Sequence, residues 1–365
     1  MPLIWAAISG HGFGHAAQVL PVLNALSRLI PDLRVLLRTT VPPAFFTERL
    51  LPPWDISPVQ QDVGGIQNGP LRIDVDATWR EHNRFHSSWQ ERLQTEINEM
   101  KISAPNVVLA DTPYLALAAG KAAAIPTIAL VSLTWDLVLS EYTAPPSIDR
   151  QAILEFIRQA YAQADLALRI APAPKMESFQ RVVDIGPIAE PAPSARKQLT
   201  ECLGLAPGEH TVLVGFGGIP LDSLPFDQLE SLTGYRFLFD GSIPPHSKRF
   251  VSTASLPFSF KTLMASVDVI ITKPGYGTLV EAVALHTPMV YVRRYNFVDE
   301  QPLVEYLHRY GRGVELSMDD FMTGQWDQAL REVCEMPPPQ TLPPPPTGAT
   351  EAAALLAPYL GHHRE

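Results

Sequence analysis

Two histidines stand in a glycine-rich stretch close to the start of the chain. "SGHGFGHAAQVL" (residues 9–20) holds His11, Gly12, Phe13, Gly14 and His15 in a row. An imidazole titrates near neutral pH, so a histidine in a cleft can take a proton from an attacking hydroxyl. A glycine loop between a strand and a helix can instead cradle phosphate against the helix N-terminus. The second reading needs an acid at the end of the next strand, about twenty residues on. Here "VLLRTTVPP" (35–43) supplies an arginine and two threonines.

A better phosphate candidate comes much later. In "TKPGYGTLVEAVALHTPMVYVRRYNFVDEQPLVEYL" (272–307), Gly275 and Gly277 follow an apolar run and precede a helical pattern. Backbone N–H groups at such a helix start bind a diphosphate. Lys273 adds a charge-assisted contact, Thr278 a hydroxyl, and Tyr276 lies in the same 275–278 turn. Glu281, one turn into the helix, suits both hydroxyls of a ribose. Glu300 and Gln301, beyond the next strand, suit the hydroxyls of a sugar. The plain alternative is a tight turn with an exposed glutamate. "VGFGG" (214–218) places Gly217 and Gly218 either close over the diphosphate or in a simple turn. Arg293 and Arg294 read as a contact to phosphate or an acidic acceptor, or as a surface pair.

Several other residues fit a cleft. Trp135 and Asp136 follow a predicted strand. An aromatic–carboxylate pair there either grips a sugar or is structural. Asp62, Gln67 and Asp74 lie in a polar, glycine-containing segment before "WREHNRFHSSW" (79–89). "DVD" (74–76) matches a three-residue metal-binding pattern, which is too short to carry a metal site, and none is expected.

The elements that must position these residues alternate. "LIWAAIS" (3–9) reads as a buried strand, "AAQVLPVLNALSRLI" (16–30) as a helix and "LRVLLRT" (33–39) as a strand. This is a βαβ unit, hence a parallel sheet. "APNVVLADTP" (104–113) is another buried strand ending in Asp111, followed by a helix over 114–124 and a strand over 126–132. The alternation restarts with strands at 210–218 and 235–241, a short helix at 260–267, and strand–turn–helix–strand over 268–292. The expectation is an α/β protein of two Rossmann-like halves facing a cleft. Residues 1–188 form the first and 189–335 the second, with a proline-rich linker at 336–348 and a helix and tail at 349–365. Ligands of open α/β sheets sit at the carboxyl ends of the strands.

The chain has 365 residues, a formal net charge of −10 and 36 prolines. That charge argues against coating nucleic acid, which takes surplus Lys and Arg. Two cysteines, Cys202 and Cys334, make neither a disulfide framework nor a spaced metal site. "MPLIWAAISG" lacks the basic n-region of a signal peptide. The apolar stretch at 122–135 is shorter than the roughly 20 residues of a spanning helix. The expectation is a soluble cytoplasmic protein, with "PPAFFTERLLPPW" (42–54) as an apolar acceptor rim that also allows peripheral membrane contact.

The order Lys273, "GYGT", Glu281, "TP" (287–288) and "DEQ" (299–301) resembles the donor signature of two-Rossmann (GT-B) nucleotide-sugar glycosyltransferases. Plant secondary-metabolite enzymes of that group open the signature with His-Cys-Gly-Trp-Asn-Ser and close it with Asp-Gln. Here lysine replaces the first histidine, Tyr276 the tryptophan, and the closing pair sits slightly later. The resemblance therefore names neither nucleotide nor sugar. In that superfamily a first loop ends in Gly-His, whose histidine can be the general base, partnered by an aspartate at the end of a later strand. Gly14-His15 and Asp111 match, so the resemblance implies His15 as base and Asp111 as its orienting partner. In members whose base lies elsewhere, the same histidine caps the helix or contacts acceptor or phosphate. His11, Gly12, Phe13, Gly14, Trp135 and Asp136 then fall on the acceptor side.

Five stretches also resemble the glycosyltransferase-like N-terminal region of plant L-arabinokinases: "SGHGFGHAAQV", "QDVGGIQNGPLRIDVDAT" (61–78), "VSLTWDLVLSEY" (131–142), "KPGYGTLVEAVA" (273–284) and "RRYNFVDEQP" (293–302). That resemblance runs from residue 4 to about 330, without the kinase region, and implies a fold more than a reaction. Together the resemblances imply transfer of a sugar from a nucleotide-diphosphate donor to an unidentified acceptor, with no metal and no cofactor beyond the donor substrate. The alternatives are a nucleotide-sugar epimerase of the same fold and a non-catalytic nucleotide-sugar-binding module.

Overall fold

The computed structural model describes residues 1–216, 224–294 and 296–361. Two parallel sheets follow one another along the chain. The first has seven strands: β1 (Leu3–Ile8), β2 (Arg34–Arg38), β3 (Trp54–Ser57), β4 (Val107–Asp111), β5 (Thr127–Val131), β6 (Leu166–Ile170) and β7 (Val182–Ile185). Their order is β3-β2-β1-β4-β5-β6-β7. The second has β8 (His210–Val214), β9 (Tyr235–Phe239), β10 (Phe250–Ser252), β11 (Val269–Thr272), β12 (Met289–Tyr291) and β13 (Gly313–Glu315), in the order β10-β9-β8-β11-β12-β13. Counted within its own half, each sheet begins 3-2-1-4-5-6, the doubly wound order.

Central strands covered by helices on both faces must be apolar throughout. Accordingly β4 (VVLAD) and β5 (TIALV) are buried at every position. Three apolar clusters result. One runs through both halves, joining Ile4, Leu37 and Leu130 with Leu213, Ile270 and Leu279. A second covers the other face of the first sheet, and a third the outer face of the second.

The predicted strands and helices are present with ends trimmed by a few residues. Sequence patterning did not reveal β3, β6, β7, β10 and β13, which are short or partly polar. "WREHNRFHSSW" belongs to two helices, Val75–Ser87 and Trp89–Ser103. The proline run carries no helix or strand from 336 to 347, and the last helix, Gly348–Gly361, returns to pack on the first, Gly14–Leu29.

Candidate functional site

The order of each sheet reverses between two neighbouring strands: β1 and β4 in the first half, β8 and β11 in the second. Ligands bind outside the carboxyl ends of strands at such switch points. Ile8 and Asp111, the last residues of β1 and β4, are register partners. The first switch point is thus where the "GHGFGH" loop and Asp111 meet. Gly10 passes so close to β2's end that an added Cβ would lie 1.9 Å from Thr40 Oγ1. Gly12 has φ +78°, a left-handed conformation open to glycine at little cost.

His15 is the second residue of the Gly14–Leu29 helix. Its Nδ1 lies 2.9 Å from Asp111 Oδ1 and 3.2 Å from Thr112 Oγ1. With Nδ1–H donated to Asp111, Nε2 is left as the proton acceptor. Burial opposes charge on this imidazole, but the Asp111 carboxylate outweighs it, helped by Asp62 and Asp299, and His15 titrates above its ordinary range. Burial likewise pushes the Asp111 carboxyl up, against the pull of His15. Asp111 Oδ2 has no hydrogen-bond partner among the described residues.

His11 is different in kind. Burial, and then the nearby His15, Lys273 and Arg294, hold it down at about 3. Gln67 Nε2 donates to His11 Nε2 across 2.9 Å, and Gly64 gives the ring room, since a Cβ there would lie 2.3 Å from His11 Nδ1. A neutral imidazole packed edge-on against Trp135 (5.4 Å between centroids) is a structural and hydrogen-bonding group.

Of the two readings of Trp135 and Asp136, the surroundings favour the structural one. Trp135 is fully buried, and its Nε1–H donates to Asp62 Oδ2 at 2.6 Å. Asp136 accepts from Ser178 Oγ at 2.6 Å and faces Arg158 at 3.6 Å, and its Oδ1 has no partner among the described residues. Phe13 is 39% exposed and stacks on Phe45 (5.0 Å), so part of the apolar rim stands beside the glycine loop.

In the second half, Lys273 and Gly275 follow β11, and the Tyr276–Leu285 helix starts with Gly275 as a cap lacking any side-chain bond. Its first N–H groups are therefore available to an anion. Among the described residues, an added Cβ on Gly14 or Gly277 meets no atom within 4 Å, so both turns face open space. Burial, then Arg294, lowers the Lys273 ammonium to about 7, with Asp299 and Glu300 pulling the other way. Gly217 and Gly218 lie outside the described residues.

Three donor-side expectations change. The Tyr276 hydroxyl donates to Ala171 O (2.8 Å) and accepts from Ile188 N (3.0 Å), so its side chain ties the two halves together and only its backbone N–H is left for phosphate. Glu281 pairs with Lys261 Nζ at 2.5 Å and accepts from Glu190 N at 3.4 Å, so a ribose would compete with both. Glu300 is fully buried, with Arg294 Nε at 2.6 Å and Arg294 N at 3.0 Å. It is a structural counter-ion and does not present its carboxylate to a sugar. Gln301 is exposed and bonds Arg293 and Glu305.

The neighbouring Asp299, by contrast, is a buried carboxylate without a partner on Oδ1 among the described residues. It is 7% exposed, and burial raises it to about 6 against the pull of Arg294. It bears electrostatically on His15 from the opposite half. All three letters of "DEQ" are visible in the sequence, but only the helix start at Glu300 separates their surroundings: Asp299 caps the helix without a side-chain bond, Glu300 is buried against Arg294 and Gln301 is exposed. The halves also interlock. Leu71 packs in the second half's outer cluster, and Phe297 in the first half's.

No protein-family model matches the chain. L-arabinokinase of Arabidopsis thaliana is 28% identical over 338 residues, which is 91% of this chain and 32% of that protein, so the chain spans about a third of that relative's length. Among solved structures, Phytolacca americana UGT2 complexed with UDP-2fluoro-glucose and pterostilbene aligns at TM-score 0.60 and 13% identity, over 98% of this chain and 94% of that one. The calicheamicin glycosyltransferase CalG4 aligns at TM-score 0.61 and 15% identity, over 98% and 94%. The glycotransferase of kitacinnamycin aligns at 0.63 and 15%, over 98% and 95%. The chain therefore has the two-Rossmann GT-B fold of these glycosyltransferases.

Proposed function

We propose that the protein transfers a glycosyl group from a nucleotide-diphosphate sugar to a hydroxyl acceptor, with His15 as general base and no metal. The observation that carries this reading is the His15 Nδ1–Asp111 Oδ1 contact of 2.9 Å at a switch point. It fixes the tautomer with Nε2 free to take a proton, beside a glycine loop that faces open space. The donor diphosphate belongs at the other switch point, on the N–H groups of the 275–278 turn with Lys273. The leaving diphosphate is then stabilised by a helix N-terminus and an ammonium. In this reading residues 1–188 hold the acceptor, 189–335 the donor, and the protein works in the cytoplasm without nucleic acid.

The test has two stages. A thermal-shift screen of nucleotides and nucleotide sugars should show selective stabilisation by one donor class, since a ligand of the native state raises apparent stability by mass action. Incubation of that donor with hydroxyl acceptors should then give a product that His15→Ala suppresses. Undiminished turnover by His15→Ala would remove the base assignment.

One observation favours a second reading. Asp62 and Asp299, both raised to about 6, lie within electrostatic reach of His15, so acid and base groups are present for chemistry on the donor sugar itself. Conversion of a nucleotide sugar with no acceptor added would favour an epimerase. Saturable binding without turnover would favour a sensor module.

A further inference from the structure

Asp62 has no role in the transferase assignments above, yet both of its carboxylate oxygens are held in place. It is 5% exposed, and each carboxylate oxygen accepts one neutral donor: Ser9 Oγ at 3.0 Å on Oδ1 and Trp135 Nε1 at 2.6 Å on Oδ2. Both donors belong to the His15 surroundings. Ser9 N donates to Asp111 O, and Ser9 Oγ also accepts from His11 N. The Trp135 ring lies 6.1 Å from the His15 ring and is fully buried. Among the described residues, no cation makes an ion pair with Asp62. A buried carboxylate with only neutral donors is costly to ionise, and the charge of the His15 imidazole is what offsets that cost here.

A second network fixes the segment that carries Asp62. Gln61 Nε2 donates to Glu96 Oε2 at 2.8 Å, and Glu96 is the buried partner of Arg38 at the end of β2. The segment leading to Asp62 is thus tied to the end of β2 through Glu96.

We propose that Asp62 is a second positioning carboxylate for His15, held by Ser9 and Trp135, which with Asp111 sets the charge that the imidazole carries before and after it takes a proton. The proposal rests on the reading of His15 as a base but concerns only the coupling of two side chains. The groups facing His15 are Asp111 and Thr112 at the end of β4, Asp62, Asp299 from the other half, and His11 in its own loop. Those facing Asp62 are Ser9, Trp135, His15 and Asp111, with the Tyr114 and Tyr161 phenols also sensing its charge. Asp111 orients through a direct contact. Asp62 acts across the Trp135 edge and contributes charge without choosing the tautomer.

The test reads His15 directly and needs no substrate. The imidazole signal of His15, assigned by its loss in His15→Gln, is titrated by NMR in the full chain, in Asp62→Asn, in Trp135→Phe and in Asp111→Asn. Asp62→Asn keeps an oxygen for the Trp135 N–H and should lower the His15 midpoint by about one unit, as removal of a nearby opposite charge does. Trp135→Phe removes the donor from Oδ2, favours the neutral carboxyl, and should move His15 the same way with Asp62 intact. Asp111→Asn should lower the midpoint further. A midpoint in Asp62→Asn within about 0.2 unit of the parent, where coupling predicts near one, overturns the proposal. So does a Trp135→Phe protein whose titration is unmoved while its circular dichroism matches the parent. If glycosyl transfer is never detected, this titration still decides the coupling, so the two ideas fail separately.

Discussion

A base must be neutral before it reacts, and His15 is surrounded by carboxylates that favour its charged form. Its titration is raised above the usual 6.5, because Asp111 outweighs burial. Only the fraction with free Nε2 can accept a proton, so kcat/KM should rise with pH through that raised midpoint and be lost on the acid side. Asp111→Asn removes the charge that raises the midpoint. Its acid limb should move to lower pH, while the plateau drops because the tautomer is no longer enforced. His15→Ala should cost about 10²–10⁴-fold, the usual worth of general base help. A pH–rate series on the three proteins checks this, and a limb that stays in place in Asp111→Asn would sink it. Lys273 makes the opposite kind of prediction. Burial holds it at about 7, so near neutrality it is charged only in part. A bound diphosphate favours the ammonium, so binding takes up a proton. Nucleotide-diphosphate affinity should be strongest below pH 7 and weaken as pH rises through it. Calorimetry in two buffers of different ionisation enthalpy should show proton uptake, absent in Lys273→Ala.

At the scale of elements, the legible part of the fold was the part buried on both faces. β1, β4, β5, β8 and β11 are short apolar runs beside glycine or turn residues, and their identity follows from desolvation alone. The strands that escaped are sheet edges or outer strands. β3 (WDIS) and β7 (VVDI) carry charged residues because one side of each has no neighbour to demand apolar contact. The site followed the same rule. Asp111 was legible as the end of an apolar strand and His15 as the opening of a helix, but their pairing came from the resemblance to two-Rossmann glycosyltransferases. Trp135, Asp62 and Asp299 depend on which way a side chain turns, and neither periodicity nor spacing encodes that. Arg38 shows the limit best: in sequence it only told against a dinucleotide loop, whereas in the fold it is a buried cation. Its guanidinium pairs with Glu96, donates to Ser57 Oγ at 2.5 Å and lies 4.8 Å over the Trp5 ring. Arg38→Met leaves the Glu96 charge without its cation and should cost about 3–5 kcal/mol. The double variant Arg38→Met/Glu96→Leu should recover most of that, because replacing a whole buried pair by apolar groups is near neutral. Urea denaturation decides it, and a double variant no more stable than the single would refute the argument.

For the whole molecule, the two halves are fastened at three levels. Tyr276 bonds Ala171 and Ile188 through one hydroxyl, Leu71 and Phe297 exchange places in each other's apolar clusters, and the last helix crosses back to the first half. That return is fixed at its start. Gly348 N donates to Pro187 O at 3.1 Å, and an added Cβ on Gly348 would lie 2.0 Å from Gly186 O, so only glycine fits. Glu351 Oε2 then accepts from Gly186 N at 3.0 Å. Beyond this anchor Ala352, Ala353, Leu356 and Leu360 are buried in the cluster that also contains Leu20, Leu23 and Leu26 of the first helix. The helix that carries His15 is therefore supported from behind by the end of the chain. Leu356 is fully buried, so Leu356→Ala should cost about 2–5 kcal/mol in transfer and cavity terms. The loss should fall on the first half. Hydrogen exchange should accelerate in Gly14–Leu29 and β1, while β11 and the Tyr276–Leu285 helix keep their protection and nucleotide-sugar binding persists. Equal acceleration in both halves would show instead that the shared cluster unfolds as one unit, and that the end of the chain stabilises the donor side as much as the base.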